Sequence, residues 1–197
     1  MSESSRPRRI ALLAAAIATA ATLFIAPAAG AETRVVPDDR RDFWHDTRSE
    51  GDDPYPGNPD WGNPDIRRTA YRYFHDRVSV RITMARLVRG DGGYWEVDIR
   101  LRTNEGLQRR ATWFKPHDGP TSTEWSGAGA CAVDGRIDFA EDVFIVEVPR
   151  RCLSNPARVS FKSATRWWPT SDDYPYLDVS GSPGYRLSQW SAPVSRG

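Results

Sequence analysis

The chain has 197 residues, with 27 Lys and Arg against 26 Asp and Glu, 11% aromatic residues and two cysteines. A balance this close to neutral leaves no electrostatic footprint for nucleic acid or an anionic lipid surface, both of which call for a basic excess. The length suits one folded domain burying roughly 70% of its unfolded surface, so the core need not depend on disulfides.

The first segment reads as an export signal. Arg6, Arg8 and Arg9 form a basic start, Ile10 to Ala26 carries no charge, and Ala29-Gly30-Ala31 offers a small-residue cleavage pattern. Cleavage after Ala31 removes residues 1–31 as a signal peptide, and the product is secreted, with no other membrane segment. The alternative is a retained anchor, for which seventeen mostly Ala residues are short and weakly apolar. Without that segment 24 basic residues face 25 acidic ones, and nearly all the basic residues are Arg, with Lys only at Lys115 and Lys162.

Residues 32–65 are polar and rich in Asp, Pro and Gly. The tetrapeptide GNPD occurs at Gly57–Asp60 and again at Gly62–Asp65, with Trp61 between. Two short copies make successive Asn-Pro turns, because the residue before proline is pushed out of the helical region. Phe43-Trp44 suits a short strand or turn tucked onto the main domain; the rest of the segment reads as loop.

From Ile66 to the C-terminus the pattern is that of a β-domain, residues 66–197. Thr69, Tyr71 and Tyr73 alternate with polar neighbours, His75-Asp76 turns, and Val78, Val80, Ile82 and Met84 then point one way. Gly90-Asp91-Gly92-Gly93 suggests another hairpin. Beyond it Trp95, Val97, Ile99 and Leu101 alternate with Glu96, Asp98, Arg100 and Arg102, charges suited to cross-strand pairing with Arg81 and its neighbours. Asn104-Glu105-Gly106 turns into a strand over Leu107 to Lys115. Arg136 to Ala140 follows the Asp134-Gly135 turn signal, and Asp142 to Leu153 holds the strongest β-branched run, ended by Pro149. Val159 and Phe161 mark a further strand, with an edge strand near Tyr185–Leu187. Seven or eight short strands and no sustained helical stripe predict an all-β fold, a two-sheet antiparallel β-sandwich of jelly-roll or Ig-like type.

Two cysteines in an exported chain are expected to pair, Cys131 with Cys152. A metal pair or a catalytic thiol would be the alternatives, and no Cys-x-x-Cys or histidine cluster accompanies them. His45, His75 and His117 all lie in turn-like stretches, and neither a G-x-S-x-G nor an H-E-x-x-H motif occurs. We therefore assign no catalytic residue and expect a protein that is not an enzyme; a hydrolase with a dispersed site is the less favoured reading.

Two constellations could bind ligands. Asp52, Asp53, Asp60 and Asp65 precede the β-domain, and Asp172, Asp173 and Asp178 lie near its end. The terminal strands of a sandwich often adjoin, and Ca²⁺ takes six to eight oxygens of the kind such loops supply. A structural Ca²⁺ is thus the cofactor these carboxylates would hold; solvated loop charges are the plainer alternative. Trp61, Trp167, Trp168, Tyr174 and Tyr176 occupy turn-rich segments, where rings stack on sugars and carboxylates bond hydroxyls, unless they cap the sandwich ends instead. The partner would be a glycan or another exported protein.

The alternating Arg77–Val80 strand, Tyr94 to Thr103, and above all Val146-Glu147-Val148-Pro149-Arg150-Arg151-Cys152-Leu153 followed by Pro156 and Arg158-Val159 resemble small secreted bacterial β-sandwich proteins with no assigned activity. The Asp65-Ile66 opening into an alternating strand is also similar to DOMON-like and family-nine-type carbohydrate-binding sandwiches. That second resemblance implies a binding module, but its haem-ligating and sugar-stacking residues have no counterparts at mapped positions here.

Overall fold

The computed structural model describes residues 31–39, 41–47, 53–57, 64–87, 93–170, 175–187 and 189–197. The expected signal peptide therefore lies outside the described residues, save Ala31. So do Asp52, Asp60, Trp61, Asp172, Asp173 and Tyr174. Among the described residues no helix is long and apolar enough to cross a membrane.

Thirteen strands are described: β1 (Glu32–Pro37), β2 (Trp44–His45), β3 (Tyr55–Pro56), β4 (Ile66–Tyr73), β5 (Arg77–Met84), β6 (Tyr94–Thr103), β7 (Gln108–Pro116), β8 (Ser122–Ser126), β9 (Asp134–Asp138), β10 (Val143–Pro149), β11 (Arg158–Trp168), β12 (Tyr176–Val179) and β13 (Val194–Ser195). They form two antiparallel sheets, ordered β1-β4-β5-β10-β9 and β3-β2-β12-β11-β6-β7-β8, with β13 added to the edge of β11. The fold is an all-β sandwich.

Its core follows from the period-two alternation of the strands. Val78, Val80 and Ile82 of β5 pair with Val148, Val146 and Phe144 of β10 and share their inward face. Opposite them stand Val97, Ile99 and Leu101 of β6, Trp113 of β7, and Val159 and Phe161 of β11. A register shift between Ile66 and Arg68 brings Ile66 inward alongside Thr69 and Tyr71, so that all three are buried. Cys131 and Cys152 are bonded, with a Cα–Cα distance of 5.8 Å, which ties the loop after β8 to the 3-10 turn Arg150–Leu153 that follows β10.

Three details differ from the sequence reading. Residues 32–65 are not merely a preface: β1 pairs with β4 over six residues, and β2 and β3 extend the other sheet beyond β12. The alternation in β1 is faint because it is an edge strand, with Val35 51% exposed. Strands β5 and β6 are not a hairpin, since they lie in different sheets. Asp98 therefore meets Arg110 of β7 at 2.9 Å and Glu96 meets Arg166 of β11 at 2.6 Å, not Arg81. The edge strand near Tyr185–Leu187 is absent; these side chains pack on Ala164, Leu177 and Val179 over the outer face.

Candidate metal centre

β12 follows the same alternation as its neighbour. Tyr176 is opposite Trp167 and Asp178 is opposite Thr165, so both face inward while Leu177 and Val179 face out. Asp178 is thus a fully enclosed carboxylate (0% exposed) facing the start of β4. One of its oxygens accepts the Ile66 N–H at 2.6 Å and the other its neighbour Val179 N–H at 2.7 Å.

Three more carboxylates arrive from the segment before β4. Asp65 immediately precedes Ile66 and accepts the Arg41 N–H at 3.1 Å. Arg41 has φ 65°, a left-handed turn that swings the chain so that Asp42 faces Asp65 and Asp178. Carboxylate oxygens of Asp42, Asp65 and Asp178 all lie within 4.8 Å of one another. Asp38, just beyond β1, accepts the Gly181 N–H at 2.9 Å and stands close enough to act electrostatically on Asp42 and Asp178.

This arrangement is costly as it stands. Both oxygens of Asp42 and one of Asp38 are shielded from solvent without a hydrogen bond, and buried polar atoms normally have partners. Among the described residues Arg67 brings a positive charge near, its Nε 3.9 Å from Asp65. Burial, reinforced by Asp42, pushes the Asp38 carboxyl up to about 8. Burial likewise lifts Asp42 to about 6, helped by Asp39 and Asp65. Asp178 is raised well above the ordinary carboxylate range, by burial first and Asp38 second, against the opposing pull of its two N–H donors. Without a further positive charge nearby, burial favours the protonated forms of Asp38 and Asp178.

Carboxylate oxygens gathered this closely suit one hard cation such as Ca²⁺, which takes oxygen ligands at about 2.3–2.6 Å. Behind the carboxylates the interior is polar but satisfied: Tyr71 OH meets Ser163 Oγ at 2.9 Å, Ser180 Oγ donates to Thr69 at 2.7 Å, and Thr165 Oγ1 donates to the Pro64 carbonyl at 3.2 Å.

Of the acids singled out from sequence, Asp65 and Asp178 meet here. Asp53 is exposed and lies outside this group, its backbone carbonyl accepting the Thr47 hydroxyl. Asp38 and Asp42 were not singled out, and their signal was only membership of an Asp-rich segment. The aromatic set does not form an open platform among the described residues. Tyr176 is 3% exposed, stacked between Trp167 at 6.1 Å and His45 at 4.7 Å. Trp167 packs on the core beside Trp95, while Trp168, one residue on and so on the other face, stacks on Tyr94 at 5.3 Å. The rings cap and extend the core. No protein-family model matches this chain, and no curated protein matches it.

Proposed function

We propose that the protein is an exported, non-catalytic β-sandwich that serves as a ligand-binding or cell-surface module, closed by a calcium ion held between Asp38, Asp42, Asp65 and Asp178. The observation that carries the cation is the convergence of Asp42, Asp65 and Asp178 within 4.8 Å, with both Asp42 oxygens shielded from solvent. Asp38 and Asp65 adjoin strands of one sheet, while Asp42 precedes β2 and Asp178 lies in β12 of the other. A cation there joins the two layers at one end, as the disulfide joins loop and strand end elsewhere. Export is supported by the basic, uncharged and small-residue succession of residues 1–31 and by the paired cysteines. The non-catalytic reading is supported by the enclosure of Asp178, which leaves that carboxylate no surface to present to a substrate.

Thermal unfolding of the purified protein with excess EDTA and with Ca²⁺ tests the proposal. Calcium at a hundred times its dissociation constant adds about 2.7 kcal/mol, which for a domain of this size raises the midpoint by roughly 2–4 °C per kcal/mol. Identical midpoints with EDTA and with millimolar calcium would remove the metal from the account.

A further inference from the structure

The far end of the molecule carries charge of the opposite sign. Two cavities, of about 450 Å³ and about 320 Å³, adjoin where β11 begins and share Arg158. Arg150 and Arg196 line the first and Arg102 lines the second, and among the described residues neither lining includes a carboxylate. Arg102, Arg158 and Arg196 are exposed. Arg150 is held in place by the carbonyls of His75 at 3.3 Å and Asn155 at 3.2 Å, leaving its Nε shielded from solvent without a partner. Two carboxylates border the groove: Glu32 accepts the Ser195 N–H at 2.5 Å, and Glu105 accepts the Asn104 side-chain amide at 2.7 Å.

The basic line continues past the cavities. Arg102 and Lys162 lie over the Trp190 ring at 4.6 Å and 4.8 Å, and burial with Arg100 and Arg102 nearby lowers the Lys162 ammonium. Between the arginines the lining mixes the polar side chains of Asn104, Asn155 and Ser195, suited to sugar hydroxyls, with apolar Pro156, Ala157 and Pro193. Guanidinium forks recognise planar acid groups through paired N–H donors.

We propose that this arginine-lined groove binds an acidic polysaccharide, its carboxylate or sulfate groups on Arg150, Arg158, Arg196 and Arg102 and its hydroxyls on the polar lining. The assignment rests on the reading of the protein as a ligand-binding module. A near-neutral chain with one local basic groove suits a polymer bearing spaced charges better than the dense backbone of nucleic acid.

Affinity electrophoresis through gels containing polyglucuronate, sulfated dextran or neutral dextran tests it, using the calcium-loaded protein at low salt. The acidic polymers should retard the protein, less so as salt rises. The double variant R158E/R196E should bind at least tenfold more weakly with an unchanged melting midpoint. The control R72E/R136E, with the same change of charge on the other sheet, should bind like the parent; the acidic polymer held more tightly identifies the acid group. Equal weakening of both double variants, or undiminished binding by R158E/R196E, overturns the groove assignment while leaving a binding module. Retardation by neutral dextran alone does the same. Silence with all three polymers overturns the groove and counts against the module itself.

Discussion

Asp42 is the carboxylate with the most to gain from a cation, because both its oxygens are shielded and unpartnered. Asp42→Asn should therefore abolish the calcium-dependent rise in melting midpoint. The same change removes a like charge from the empty cluster, so the metal-free variant should melt no lower than the parent at pH 8. The pH dependence has a definite sign. Carboxyls near 3.8 in the unfolded chain sit at about 8 for Asp38 and about 6 for Asp42 in the folded one. Between those limits the folded state holds more protons, so this contribution to stability falls as pH rises. In EDTA the melting midpoint should decline from pH 5 to pH 9, and saturating calcium should flatten the decline because ligation keeps the oxygens ionised. A midpoint independent of pH in EDTA would contradict the burial of these groups. At this scale the sequence was only half legible. Asp65 and Asp178 stand at the two ends of the β-domain and invite pairing. Asp42 is indistinguishable in sequence from Asp39 or Asp46, because a left-handed residue at Arg41 and the pairing of β1 decide which of them joins Asp65 and Asp178.

Strand β10 packs against the facing sheet through its aromatic side chain. It lies between β5 and β9, and its Phe144 meets Trp95 at 5.3 Å and Trp113 at 5.9 Å across the interlayer space. Phe144→Ala should cost about 3–5 kcal/mol through lost burial and the cavity left behind, measurable by denaturant unfolding. Gly135 of β9 sits where an added Cβ would come within 2.2 Å of the Trp113 ring, so even Gly135→Ala would force that indole to move. Replacing both cysteines by serine opens a loop of 21 positions and should cost about 3 kcal/mol in the chain-entropy model. The β10 run and the β4–β5 and β6–β7 hairpins are plain in the sequence because alternation and local turn residues specify them. The passage from β5 to β6 is not, since Gly-rich turn chemistry looks the same whether the next strand pairs beside its predecessor or crosses to the facing sheet. Short β12 is equally hidden: four residues, YLDV, acquire their role only by pairing with β11.

Across the whole molecule the two chemistries lie at different places on one sandwich. Carboxylates contributed from both sheets form the candidate cation site, and arginines around the start of β11 line the groove. The site joins the layers, so calcium should protect the protein globally, slowing proteolysis across it and not only near Asp178. The most direct test is calorimetric titration of calcium into EDTA-treated protein at pH 7, in two buffers of different ionisation enthalpy. The account predicts one ion per chain, with affinity in or tighter than the range of about 10⁻⁴–10⁻³ M typical of extracellular calcium modules. It also predicts release of about one proton or more from carboxyls that the empty site keeps protonated, and loss of binding in Asp42→Asn. No saturable binding up to about 10 mM, well above that range, or equal binding by Asp42→Asn, would contradict it.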